Sequence, residues 1–154
     1  MSYFSRSSNA FLYMGTASAT SSAGLPAHSS DTMREVPLLG AVTPAPRSLT
    51  SAFFNILNDA VRRAVGGKVN DKQWQGNYVV DDDEAVHNDF LSDAEVAGGR
   101  FRNYRVVYPN GRIVQFTGFV SNYAEQALEA SDDPEAFRAD WTITQDGADT
   151  VTYA

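Results

Sequence analysis

At 154 residues and 43% hydrophobic content the chain is sized for a single domain, residues 1–154, with a core of its own. The absence of cysteine excludes a disulfide scaffold, a thiolate metal site and a cysteine nucleophile. A net charge of -7, with Lys68 and Lys72 as the only lysines, argues against a protein that grips nucleic acid, because that task needs clustered cations to displace counterions from phosphates. An acidic wall can still let DNA pass without sticking.

The apolar runs are too short to cross a bilayer, and MSYFSRSSNAFLYMG lacks the charged, apolar and cleavage-site series of a leader, so the expectation is a protein that is cytosolic when made. Ser7 to Thr16 reads as a first strand closed by Gly15. Ala17 to Asp31, rich in Ser, Ala, Gly and Pro, reads as a loop or mobile segment in which His28 is solvated. Met33 to Val42 reads as one strand, with Pro37 marking an edge or a bulge, and Thr43 to Arg47 turns the chain. The next segment is ambiguous. Phe53, Leu57, Ala60, Val61, Ala64 and Val65 share a helical face, with Ser51 as a possible cap and Gly66-Gly67 as a stop, yet Leu49 to Leu57 also suits a half-buried strand followed by a polar loop.

Lys72 to Val80 alternates, with Trp74, Gly76, Tyr78 and Val80 on one face and Gln73, Gln75 and Asn77 on the other. A helix over about 82–97 follows, with an aspartate cap, Glu84 placed for a capping box, an apolar stripe of Val86, Phe90, Leu91, Ala94 and Ala97, and Gly98-Gly99 as its stop. The acids from Asp81 to Glu84 lack calcium-loop spacing and read as charge placed at the helix start, and His87 reads as a surface side chain. Phe101 to Tyr123 is a β-hairpin turning at Pro109-Asn110-Gly111. A two-residue turn would set Val107 opposite Val114 and Arg105 opposite Phe116, with Tyr104, Val106, Tyr108 and Ile113 on the other face. Ala124 to Glu135 is an acidic loop, and Phe137, Ala139, Trp141 and Ile143 form one face of a closing strand.

Catalytic chemistry is thin. Two isolated histidines, serines confined to loops, and no G-x-S-x-G, P-loop or H-E-x-x-H motif point away from an enzyme, and no cofactor or metal is expected.

The ordered series of NDAVRRAVGGKVNDKQWQGNYVVDDDEAVHNDFL and YRVVYPNGRIVQFTGFVSN resembles the tail tube proteins of long-tailed, siphovirus-type bacteriophages, the family of the lambda tail tube subunit, across roughly Asn9 to Gly147. The resemblance implies a mainly β sandwich or barrel-like fold with one flanking helix. It implies six copies in a ring, rings stacked head to tail, and DNA ejected through the lumen without specific binding. It also implies strand for Leu49 to Leu57 and, for Asn58 to Asp71, an inter-ring loop whose candidates are Arg62, Arg63, Lys68 and Asp71. The candidates for the self-assembly or lumen strands are Tyr104, Arg105, Val106, Gln115 and Thr117. The implied partners are further copies of the chain, a tape measure protein, a tail terminator and baseplate or tail-tip proteins, in a virion tail assembled in the host cytoplasm, with no membrane. A head–tail joining or tail-completion ring, and a monomeric β-sandwich binding module, are the alternatives.

Overall fold

The computed structural model describes residues 10–47, 49–54, 63–69, 72–126 and 137–153, with the backbone alone for 49–54 and 63–69. The strands are β1 (Phe11–Gly15), β2 (Met33–Glu35), β3 (Leu39–Thr43), β4 (Leu49–Phe54), β5 (Arg63–Val69), β6 (Gln73–Val79), β7 (Phe101–Val107), β8 (Arg112–Glu125) and β9 (Arg138–Tyr153), with a helix α1 (Ala85–Asp93) between β6 and β7. Seven strands form one sheet in the order β2-β1-β7-β8-β9-β6-β3, and β4 and β5 form a separate two-stranded ribbon. All described pairings are antiparallel.

The seven-stranded sheet has to curl. Laid flat, strands spaced about 4.8 Å apart would put β2 and β3 about 29 Å from each other. Only Val36–Leu38 joins them, a link that reaches at most about 14 Å. That link is itself hydrogen-bonded on both sides, Val36 N–H to the Leu12 carbonyl of β1 (2.8 Å) and the Leu38 carbonyl from Val79 N–H of β6 (3.0 Å). The result is a barrel-like wall. The strand expected over Met33 to Val42 is therefore two strands on opposite edges, broken at Pro37 and at Leu38, which turns with φ 58°.

The concave side holds the core: Leu12, Met14, Trp74, Tyr78, Tyr104, Val106, Val114, Phe116, Val120, Ala139, Trp141 and Ile143, closed by Val86 and Phe90 of α1. Trp74 stacks on Phe116 (4.9 Å between ring centres) and Phe90 leans on Trp141 (5.6 Å). Gly76 is glycine because the Ala41 carbonyl and the Trp141 ring close over it and leave no room for a Cβ. The alternation expected for Lys72 to Val80 and for Phe137 to Ile143 matches the buried faces of β6 and β9.

The hairpin register differs from expectation. Its turn runs from Tyr108 to Arg112, closed by Tyr108 N–H to Arg112 O (2.7 Å) and Gly111 N–H to Tyr108 O (3.0 Å), with Gly111 at φ 87°. This is a three-residue loop, a turn whose last residue needs the left-handed region, one residue longer than the two-residue alternative. That shift pairs Val106 with Val114 and Tyr104 with Phe116. Tyr104, Val106, Val114 and Phe116 therefore share the buried face, with Arg105, Val107, Ile113 and Gln115 on the other, because side chains alternate along a strand.

Other local expectations also change. The helix spans Ala85–Asp93, not 82–97, its cap residue is Glu84 with no side-chain cap bond, and Leu91 is exposed. Asp81 instead closes its own turn, accepting from Asp83 N–H at 3.0 Å. His87 is buried. Its Nδ1 accepts from Asp81 N–H (3.1 Å), its Nε2 donates to Pro37 O (2.8 Å), and its ring stacks on Tyr78 at 3.9 Å, so it joins helix, wall and closing link. The Ala17 to Asp31 stretch is an ordered strap. Asp31 accepts from Ala17 N–H and from Asn103 Nδ2, and His28 Nε2 sits 3.0 Å from the Phe116 carbonyl.

Candidate assembly surfaces

Five residues of the β7–β8 hairpin were expected at a subunit contact or lumen wall, and the structure sorts them into two groups. Tyr104 and Val106 lie in the core. Arg105, Gln115 and Thr117 stand on the convex face, half-buried. Arg105 and Gln115 are direct cross-strand partners, and with the Gln115 amide turned toward it the Arg105 guanidinium donates twice to Oε1 at 3.0 Å. Arg105 also lies 6.0 Å from the centre of the Tyr13 ring on β1. The strap covers the neighbouring convex position Asn103, which donates to Pro26 O and Asp31.

The expected loop from Asn58 to Asp71 contains a strand. Arg63 and Lys68 belong to β5, which pairs with β4 with Ser51 opposite Gly66 and Phe54 opposite Arg63. Arg62 and Asp71 lie outside the described residues, as does most of the segment on which a helical period had been legible. The strand expected for Leu49 to Leu57 is present over Leu49–Phe54. Two strands alone bury little and are marginal without a partner.

The ribbon's roots are anchored by one carboxylate. A bulge in β9 opposite Gln115–Thr117 turns Asp149 out of the ladder. There it accepts from Arg47 (2.7 Å), just before β4, and from Lys72 (2.8 Å), just after β5. Gln145 donates to the same carboxylate (3.3 Å) while accepting from Trp74 Nε1 (3.0 Å), so the clasp is tied to the core. Burial by itself would raise the Asp149 carboxyl. The hydrogen bonds from Arg47, Lys72 and Gln145 outweigh it and hold the group well below the usual carboxylate range. The sequence offered no motif for this cluster, since its members are 102 and 77 positions apart.

Around the clasp opens a cleft of about 290 Å³ lined by Pro44, Ala45, Tyr108 and Arg112 as well as the residues just named. Arg112 lies 5.1 Å from the Tyr108 ring centre, and its Nε is buried without a hydrogen-bond partner among the described residues. A second carboxylate, Asp93 at the end of α1, is buried against Arg102 (2.6 Å) and Arg100 (3.1 Å). Arg102 also donates to the Gly15 and Thr16 carbonyls, joining helix, β7 and β1. Among the described residues no group of three metal-ligating side chains occurs, and no helix is long and apolar enough to cross a membrane.

No protein-family model matches the sequence, and no curated protein matches it. Solved structures do share the fold. A chain of the sheath–tube complex of an extracellular contractile injection system, PVC, aligns with TM-score 0.69 at 8% identity over 95% of this chain and 89% of its own. The SPP1 tail tube aligns with TM-score 0.64 at 9% identity, over 100% of this chain and 79% of that one. A chain from the tail of an empty gene transfer agent particle, refined helically with C6 symmetry, aligns with TM-score 0.58 at 14% identity over 94% of both. The mainly β wall with a single helix is thus the fold found in these tail and injection assemblies.

Proposed function

We propose that this chain is a structural, non-enzymatic tube subunit. Copies close into a six-fold ring, rings stack head to tail, and the stack is the tail tube of a phage-like particle through which DNA is ejected. The observation that carries the reading is fold likeness over essentially the whole chain to the SPP1 tail tube and to a tail refined with C6 symmetry. The architecture supports it. The seven-stranded sheet leaves β2 and β3 at its edges, and the β4–β5 ribbon stands apart from it. Pairing such edges and ribbons between copies satisfies backbone groups that would otherwise invite uncontrolled association, and a contact between unlike faces propagates as an open stack. A net charge of -7 keeps DNA from adhering to the wall.

The 1–154 unit acts as one domain in this reading, with tape measure, terminator and tip proteins as partners and the virion tail as its place. Because a contractile system shares the fold, the fold alone does not assign a flexible, sheathless tail. Electron microscopy of the purified protein tests the proposal. Long hollow six-fold tubes are expected; isolated rings at every concentration would favour a tail-completion role, and featureless monomers would overturn both. Replacing residues 49–69 with a short Gly-Ser linker is expected to leave a folded body that no longer stacks.

A further inference from the structure

Within the Asp81–Glu84 run Asp81 closes its own turn, but the Asp82, Asp83 and Glu84 carboxylates form no ion pair among the described residues. The helix takes Glu84 as its cap residue without a side-chain cap bond, and Asp82 and Asp83 are exposed. Glu125 and Asp140 are exposed at the same end: Tyr123 lies within electrostatic reach of both Asp82 and Glu125, and Asp140 is the cross-strand partner of Ala124. Arg138 at this end is half-buried beside Asn77. The net charge there is negative.

The opposite end holds a cationic cleft, with the exposed Asp146 of β9 close by. The cleft beside Asp149 sets three cations, Arg47, Lys72 and Arg112, against that single carboxylate. Arg47 is half exposed, and Arg112 is the cation that Asp149 does not engage. Strand β6 links the two ends directly: Lys72 precedes its first residue and Asp81 follows its last by two positions. At about 3.3 Å per residue they stand roughly 30 Å apart. Strand β8 repeats the polarity, running from Arg112 to Glu125.

We propose that the cleft beside Asp149 is a carboxylate-binding site whose occupant is the Asp81–Glu84 run of a second copy of this chain. A cationic concavity at one end of a subunit and unpaired acids at the other are complementary only between unlike faces, which is the geometry of a head-to-tail contact that repeats without closing. Arg112, which Asp149 does not engage, supplies the fork donors that match a carboxylate, and Tyr108 lies beside it; Arg47, whose own fork is held by Asp149, adds positive charge at the rim. The assignment rests on the tube reading but names one contact within it, and it can fail while that reading stands.

The test uses the full chain, which has no cysteine of its own. Ala45→Cys in the cleft and Asp82→Cys at the far end, combined in one chain and treated with a short bis-maleimide after assembly, are expected to give a ladder of linked subunits that neither single variant gives. Asp82→Lys with Asp83→Lys, at exposed positions far from the cleft, is expected to raise the concentration for half-maximal tube formation about ten-fold or more. Adding Arg112→Glu to that pair is expected to bring it back to within about three-fold of the parent. Absence of the ladder from assembled tubes, or unchanged assembly by the reversed acids, overturns the contact and leaves the tube reading intact. A parent chain that forms neither tubes nor the ladder overturns both.

Discussion

Asp93 and Asp149 are each held by two cations, and the two carboxylates do different work. Asp93 is wholly enclosed, its partner Arg102 is 6% exposed, and the pair welds α1 to β7 and to the end of β1. Asp149 is nearly as enclosed at 4%, but one of its partners, Arg47, is 53% exposed, and the chain segments it holds lead into a ribbon outside the main sheet. The first carboxylate is part of the body's integrity. The second sets how the ribbon leaves the body. The difference lies in what the cations are attached to.

Breaking each pair separates the two roles. Asp93→Asn leaves a buried guanidinium uncompensated and is expected to cost about 3–5 kcal/mol in urea unfolding, whereas Asp93→Leu with Arg102→Met should recover most of that loss by removing both charges. Asp149→Asn is expected to cost about 1–3 kcal/mol. Its clearer signature is faster amide exchange in β4 and β5 with unchanged exchange in β7 and β8; equal acceleration everywhere would assign Asp149 to the body after all.

Acid sharpens the contrast. The Asp149 carboxyl titrates lower in the folded chain than unfolded, so its contribution is complete above about pH 4, the unfolded value, and is lost as pH falls through the lower folded value. The stability gap between the parent and Asp149→Asn is therefore expected to be constant from about pH 5 to 7 and to close on further acidification, measured as urea midpoints along a pH series. The smallest effect belongs to Arg47→Gln. Removing a half-exposed cation is expected to cost under about 1 kcal/mol and to vanish in molar salt, while the Asp93 variants keep their full penalty there.

The element types were largely legible where the hydrophobic period was strong. Trp74 and Tyr78 of β6, and Ala139, Trp141 and Ile143 of β9, alternate cleanly because one face of each strand meets the core. The hairpin was legible too, but its register was not, since Pro109-Asn110-Gly111 permits two turn lengths and the difference of one residue exchanges the faces. Gly111 at φ 87° selects the longer turn, which sets Tyr104 and Val106, expected as contact residues, on the core face with Val114 and Phe116. His87 resembled a surface residue because its partners, Asp81 N–H and Pro37 O, are backbone groups that leave no trace in side-chain spacing. Periodicity could not separate helix from strand over Leu49–Phe54, and β5 lay hidden in a glycine-containing stretch that read as loop. The Asp149 clasp was invisible because topology alone makes neighbours of charges 102 and 77 positions apart, and the Asp93–Arg102 pair, though only nine apart, leaves no periodic trace because it bridges the end of α1 and the start of β7.

The position of β9 in the sheet constrains how the subunit comes into being. It lies between β8 and β6, so the group β2-β1-β7-β8 and the pair β6-β3 have no strand-to-strand hydrogen bonding with each other until β9 arrives. Residues through β9 must be synthesised before the wall can close, and the loop-closure entropy of that last pairing is offset only when it is complete. A fragment ending at Gln126 is expected to show no exchange-protected β6. On a ribosome the wall thus stays open until β9 has emerged, and in the tube proposed above the order of strands by itself postpones association between copies to that moment.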